Sequence, residues 1–222
     1  MRSIKSNTFL GLITDLGVSG IKIIKIIFLI PFIIKFSSAE SYGLYLTVLS
    51  FVGLIGFFDF GTNLFFIKEL SVKASSKYNK EVIISTGSNL ILLNTLFILF
   101  ISFFIFLISL YSKYEDSLIL QLFFFLIISK VLANLYSIPI SILHSNQKMS
   151  FVNSVKSLLT LFEVLVVIVT LIQYDMGVIS LVYGELAYHT VLFFIFYIYV
   201  RKPLKLYSLN LDKSFLNQSL KY

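Results

Sequence analysis

The chain of 222 residues has little of what a soluble domain or an extracellular scaffold needs. It contains no cysteine and no tryptophan, only three prolines, and charged residues make up 13% of it. The absence of cysteine excludes a disulfide framework and a cysteine-ligated metal site. The low charged fraction leaves too little polar surface to cover the core of a soluble domain.

What the chain has in abundance is apolar sequence. Hydrophobic residues make up 58% of it, and the mean hydropathy is +0.94. The apolar runs are unbroken and exceed the roughly 20 residues that a helix needs to cross a bilayer. Sheet edges are excluded from lipid, and the alternating segments of about ten residues that form membrane barrels are absent. The composition therefore predicts an all-α membrane protein.

Six apolar segments predict a bundle of six transmembrane helices. Their ranges are 8–36, 42–67, 82–111, 118–143, 151–173 and 177–200. The first segment is not a cleavable signal peptide, because it is too long, contains Lys22 and Lys25, and lacks a small-residue cleavage site. These segments form one predicted lobe, 1–200, and a basic tail follows at 201–222.

Positive charge marks alternate connections between these segments. One set of connections and ends carries Arg2, Lys5, Lys68, Lys73, Lys77, Lys80, Lys148, Arg201, Lys202, Lys205, Lys213 and Lys221. The other set carries only Lys35 and Lys113. Because cytoplasmic loops are enriched in Lys and Arg, six crossings with both termini in the cytoplasm are predicted.

Ionisable residues inside the apolar segments are the candidate functional residues. At about 100° per residue, their spacing places them with Ser, Thr and Asn on one stripe of each helix. The residues are Asp15, Lys22, Lys25, Asp59, Lys130, Lys156, Glu163, Glu185 and His189. A charge at mid-bilayer costs at least about 2.5–3.5 kcal/mol and usually faces a bundle interior or a wet cavity. Five striped helices predict a shared hydrophilic interior.

A purely structural interpretation stays open beside transport. The four acids within the segments equal the four lysines in number, so they could pair and fix helix register without any transport role. No nucleophile–base set, metal-ligand spacing or phosphate-binding loop is present, and we therefore predict neither an enzyme nor a metal or cofactor site. The net charge of +7 lies mainly in the loops and signals topology, so no nucleic-acid partner is predicted.

The first 75 residues also carry a pattern that resembles a known family. LIP at 29–31 is followed by YG at 42–43, an apolar helix, DFG at 59–61 and KELS at 68–71. This pattern resembles the start of the Wzx-type O-antigen and capsule-unit flippases of the multidrug/oligosaccharidyl-lipid/polysaccharide exporter superfamily. The match rests mainly on Pro31, Tyr42, Gly43, Asp59, Gly61 and Glu69.

The resemblance implies one six-helix lobe of a two-lobed flippase fold in the bacterial inner membrane. Such proteins move an undecaprenyl-diphosphate-linked oligosaccharide between leaflets during O-antigen or capsule synthesis. Lys22, Lys25 and Lys130 are the expected contacts of the diphosphate. Asp15, Asp59, Lys156, Glu163, Glu185 and His189 are the expected sites of ion coupling or internal pairing.

The chain has the length of one lobe only, so we expect 201–222 to be either a basic cytoplasmic tail or a truncated inter-lobe linker. Membrane lipids, a second six-helix half and polysaccharide-assembly proteins are the expected partners. A cation-coupled drug exporter of the same superfamily and an inactive, truncated remnant are the alternatives.

Overall fold

A computed structural model describes residues 2–56, 62–71, 80–111 and 117–204, with side chains at 9–54, 67–71, 83–107 and 117–200. These residues form seven α-helices, and no strand occurs among them. The helices are α1 (Arg2–Phe36), α2 (Ala39–Gly56), α3 (Thr62–Ser71), α4 (Lys80–Tyr111), α5 (Ser117–Ser145), α6 (Met149–Tyr174) and α7 (Ile179–Leu204). The predicted all-α membrane class is therefore confirmed.

The predicted number of six spanning helices is not reached. Five described helices are long and apolar enough to cross a membrane, namely Phe9–Phe36, Ile83–Leu107, Ser117–Ser145, Met149–Tyr174 and Ile179–Val200. The second predicted segment, 42–67, is divided between α2, of 18 residues, and α3, of 10 residues. At 1.5 Å per residue, α2 is about 27 Å long, slightly shorter than the hydrocarbon core of a typical bilayer.

Local sequence explains where several helices begin and end. The Ser38 hydroxyl accepts a hydrogen bond from the Ser41 backbone N–H at 3.0 Å, which caps α2. α6 ends at Asp175, which adopts a left-handed conformation with φ 50°. Gly177 follows with φ +53°, and a Cβ there would lie 2.8 Å from the Ser37 hydroxyl oxygen. Glycine is thus required where the α6–α7 turn contacts the end of α1.

Contacts between side chains fix the direction of each helix. α1 runs parallel to α6, because Gly11 lies beside Met149 and Lys25 bonds Glu163. α5 runs parallel to α7, because the Phe125 and Tyr183 rings lie 5.2 Å apart and Tyr136 contacts His189 farther along both helices. α4 is antiparallel to α5: Asn134 bonds Thr95, whereas Ile105 and Ile119 line one groove.

We call the two ends of this bundle the Lys148 end, which holds the α5–α6 turn at 146–148, and the Asp175 end, which holds the α6–α7 turn at 175–178. A buried cluster at the Lys148 end contains Leu70, Ile140 and Val152. A second cluster toward the Asp175 end contains Ile33, Val48 and Leu122, among others. The core therefore extends along the whole length of the bundle.

Large apolar side chains cover the outside of the helices. Leu16, Phe28, Leu93 and Leu158 are each about two-thirds or more exposed. On a soluble protein such a surface would drive aggregation, whereas in a bilayer these side chains meet lipid tails. The exposed apolar surface and the five spanning helices together support residence in a membrane.

Candidate functional site

The α1–α6 contact positions the first charged pair of the site. The Asn153 amide donates to the Gly11 carbonyl at 3.3 Å and to the Thr14 hydroxyl at 3.4 Å. A Cβ at Gly11 would lie 3.3 Å from the Met149 sulfur, so the helices approach closely at this level. Because the helices run parallel from there, residues ten or eleven positions farther along each helix meet again.

Lys25 and Glu163 meet at that second level. The Lys25 Nζ donates to the Glu163 Oε1 at 2.7 Å, which is a short, charge-assisted hydrogen bond. The Lys25 side chain is 23% exposed and the Glu163 side chain 9%. The two residues are therefore paired, and each charge lowers the cost of burying the other.

Gly184 brings α7 against the same part of α6. A Cβ at this position would overlap the Val167 side chain and would lie 3.2 Å from the Glu163 carbonyl oxygen. The missing side chain therefore allows the two helix backbones to approach at the level of Glu163. Glu185, the next residue along α7, is then placed on the same cavity as Glu163.

His189 has a polar neighbour on each ring nitrogen. Its Nδ1 lies 3.0 Å from the Tyr136 hydroxyl oxygen, and its Nε2 lies 3.7 Å from the Glu185 Oε1, one helical turn earlier. The Tyr136 and His189 rings are stacked, with centroids 5.7 Å apart. These contacts fix the orientation of the imidazole.

These groups line one cavity of about 520 Å³ between α1, α2, α6 and α7. Its polar lining residues are Lys22, Lys25, Tyr42, Tyr45, Thr160, Glu163, Glu185, Tyr188 and His189. Lys22 lies midway along the span Phe9–Phe36, about 20 Å from each end at 1.5 Å per residue. The cavity therefore extends from the middle of this span, where the exposed Lys22 lies, toward the Asp175 end, where Ile33 and Tyr42 line it.

The predicted convergence of charged side chains is thus found for part of the set. Lys22, Lys25, Glu163, Glu185 and His189 line the cavity together. Within the described part of the chain, Lys22 has no ion-pair partner. It is the lysine of this set that remains available to an incoming anion.

Three predicted residues lie elsewhere in the described structure. Asp15 is exposed on α1. Lys156 is half-buried on α6, within electrostatic range of Lys22, Asp15 and His144. Lys130 is half-buried on α5 but does not line the cavity. One turn farther on, Asn134 bonds the Ile91 carbonyl and the Thr95 hydroxyl, so this polar stripe faces α4.

The structure therefore does not bring Lys130 to the cavity that Lys22 and Lys25 line. α5 packs against α2, α3, α4, α6 and α7, and its Asn134 faces α4. Asp59 lies outside the described residues, and its predicted inward orientation stays a prediction.

The sequence interpretation missed the tyrosines of the site. Tyr42 and Tyr45 lie near the start of the second predicted segment, where tyrosine commonly anchors a helix at the membrane interface, but both are half-buried and line the cavity. Their rings stack with centroids 6.1 Å apart. Their spacing of three residues, continued by Leu49, could have indicated one inward stripe of α2.

The side chains of the cavity suit a ligand that carries both an anion and hydroxyl groups. Lysine ammonium groups bind phosphate-like anions, and Tyr and Thr hydroxyls exchange hydrogen bonds with sugar hydroxyls. Over the described residues, no group of three or more His, Asp or Glu side chains is arranged to hold a metal ion. No protein-family model, no curated protein and no solved structure matches the chain.

Proposed function

We propose that this chain forms a six-helix lobe of a transporter that moves an undecaprenyl-diphosphate-linked oligosaccharide across the bacterial inner membrane. The observation that carries this proposal is the cavity that begins at mid-span beside Lys22, a lysine with no ion-pair partner among the described residues. In this proposal α2 and α3 together make the sixth crossing, and both ends of the chain lie in the cytoplasm.

Helix directions support the sixth crossing. Short turns make α5 antiparallel to α6, and α4 is antiparallel to α5, so α4 and α6 run the same way. Because α1 is also parallel to α6, α1 and α4 run the same way, and the chain must return across the bilayer between them. α2 starts at the Asp175 end, and Leu70 of α3 is buried in the cluster at the Lys148 end.

The alternation of positive charge supports the orientation. Lys148 lies in the turn that gives the Lys148 end its name, whereas Asp175 lies in the turn at the other end. Cytoplasmic connections carry the excess of Lys and Arg. The proposal therefore places the Lys148 end in the cytoplasm and the Asp175 end in the periplasm.

The chemistry of the cavity supports the substrate class. A diphosphate is poorly solvated by lipid tails, and Lys22 offers a compact positive charge at mid-depth. Tyr42, Tyr45 and Thr160 offer hydroxyls to the sugar units. The volume of about 520 Å³ lies within the range of small-molecule sites, enough for the diphosphate and the first sugars.

Lys25 has a different role from Lys22 in this proposal. It already bonds Glu163, so an anion must compete with that carboxylate for its Nζ. Lys22 therefore makes the first contact, and Lys25 joins only when Glu163 releases it. Lys130, which does not line the cavity, makes no contact with the substrate in this proposal.

The test compares Lys22→Ala with Lys130→Ala in the native bacterium, with the amount of protein in the membrane matched by immunoblot. We expect Lys22→Ala to lower surface polysaccharide about ten-fold or more, because hydrogen bonds to charged groups contribute about 1.5–3 kcal/mol. Lys130→Ala should leave the polysaccharide unchanged. Equal polysaccharide in Lys22→Ala and the parent would contradict the proposal.

A second candidate, a cation-coupled drug exporter, is favoured by the acids in the cavity. Glu163 and Glu185 line it, and Glu185 is paired only with a histidine among the described residues. In this case Glu185→Gln, and not Lys22→Ala, should abolish resistance to cationic drugs while surface polysaccharide stays normal. The two assays on the same two variants therefore separate the candidates.

A further inference from the structure

His189 has polar neighbours on both ring nitrogens, which a residue that only fills space in the core does not need. The neighbours are the Tyr136 hydroxyl at 3.0 Å and the Glu185 carboxylate at 3.7 Å. Its side chain is 16% exposed, and it lines the cavity. The imidazole is therefore oriented by protein groups and still reachable by a proton from cavity water.

Its neighbours suit the neutral and the protonated imidazole equally. When His189 is neutral, the Tyr136 hydroxyl donates to Nδ1. When it is protonated, Nδ1–H donates to the Tyr136 oxygen and Nε2–H faces the Glu185 carboxylate. A proton can bind without rotation of the ring, and the cation that forms is beside an anion.

Protonation of His189 changes the net charge of the groups that line the cavity from zero to positive. The other charged groups that face the cavity are Lys22 and Lys25 from α1, Glu163 from α6 and Glu185 from α7. The remaining titratable groups around the histidine are the neutral phenols Tyr42, Tyr45, Tyr136 and Tyr188. The charge of the lining is therefore zero with neutral His189 and +1 with protonated His189.

We propose that His189, held between Tyr136 and Glu185, is a proton-binding site whose occupation strengthens the binding of an anion in the same cavity. This inference rests on the proposed function in one respect, namely that an anion enters the cavity. The step is proton binding alone: a proton from cavity water adds to Nδ1, the Tyr136 hydroxyl turns from donor to acceptor, and no other covalent bond of the protein forms or breaks. Linkage requires the reverse effect as well, so a bound anion strengthens proton binding at His189.

The chain itself supplies the means to test this by NMR. It contains only two histidines, so His144→Gln assigns both imidazole signals. The full chain in nanodiscs of zwitterionic phosphatidylcholine is titrated between pH 5 and 8, where histidine side chains change charge. The probe is hexyl sulfate, whose own charge is constant over that range.

We expect hexyl sulfate to raise the pH at which half of His189 is protonated by about 0.7 unit or more, equivalent to at least five-fold coupling. Calorimetry should show hexyl sulfate binding tighter at pH 5.5 than at pH 8 by the same factor. His144 lies in the last turn of α5 at the Lys148 end and is the internal control for a general effect of the probe on the bilayer. The pH at which half of His144 is protonated should not change when hexyl sulfate is added. Without probe, Glu185→Gln should lower the half-protonation pH of His189, because the facing anion is gone.

Each outcome decides between the claims. Hexyl sulfate binding that is equally tight at both pH values, or equal shifts of both histidines, overturns the coupling and leaves the anion cavity intact. No binding to the parent at any pH overturns the anion cavity itself. An unchanged His189 titration in Glu185→Gln overturns the assignment of the proton site.

Discussion

The Lys25–Glu163 pair offers the sharpest test of the interior of the lobe. Two unit charges about 4 Å apart interact by about 4 kcal/mol at an effective dielectric constant of 20. The Lys25 side chain is 23% exposed to the cavity, which weakens this interaction, so we expect a coupling energy of about 2–3 kcal/mol. Hydrogen bonds between membrane helices have an average coupling energy of only about 0.6 kcal/mol, so the measured coupling energy distinguishes an ion pair from an ordinary hydrogen bond.

The two single substitutions should differ in cost. Lys25→Met leaves the more buried carboxylate without a partner and should lower the free energy of unfolding by about 3 kcal/mol. Glu163→Gln keeps an oxygen that accepts from Lys25 Nζ, and should cost about 2 kcal/mol. The double variant should cost less than the sum of the two, and the difference is the coupling energy.

The assay is reversible unfolding of the four proteins in mixed micelles with increasing sodium dodecyl sulfate. Lys22→Met is the matched control, because it removes a lysine on the same face of α1 that has no ion-pair partner in the described structure. It should change the free energy of unfolding by less than about 0.5 kcal/mol. A coupling energy at or below about 0.6 kcal/mol would show that Lys25 and Glu163 do not form an ion pair in the folded protein.

Three further predictions test the surrounding structure. Gly184→Ala should lower the free energy of unfolding by about 1–3 kcal/mol in the same assay, because the new methyl group overlaps Val167. Gly17→Ala is the control: no atom lies within 4 Å of its added Cβ, so it should be neutral or stabilising. Asn134→Ala should lower the free energy of unfolding by about 0.6–1.7 kcal/mol, because its hydrogen bonds to α4 are lost. In a Thr95→Val background the same substitution should have little further effect; fully additive losses of free energy would contradict the 2.8 Å bond. Alkaline phosphatase inserted after Asp175 should be active and after Lys148 inactive; the reverse pattern would contradict the proposed orientation.

The sequence is most informative about the elements whose physical constraint is local. Lipid demands long apolar helices, so hydropathy predicts the five spanning helices. For α4, α5, α6 and α7 the predicted ends agree with the observed ends to within a few residues. The helical period also places Lys25 and Glu163 on polar stripes of two helices. That these stripes face each other depends on which helices become neighbours, and no local pattern encodes this.

The failures of the sequence interpretation have the same origin. Lys130 lies on a stripe like those of α1 and α6, but α5 packs against five other helices, and Asn134 on that stripe bonds α4. Tyr42 and Tyr45 lie near a predicted boundary, where tyrosine commonly anchors a helix, and only the fold shows that they point at the cavity. Hydropathy alone also could not show that the second segment is divided into two helices.

Labelling of single cysteines tests the central claim, a water-accessible cavity lined by charged side chains within the bundle, most directly. Because the chain contains no cysteine, each introduced thiol is the sole target of a charged, membrane-impermeant thiosulfonate reagent. Lys22→Cys and Glu185→Cys should react rapidly, whereas Ile24→Cys, on the same helix at the same depth and 57% exposed to lipid, should not. Equal protection of all three thiols in the folded protein would contradict the cavity.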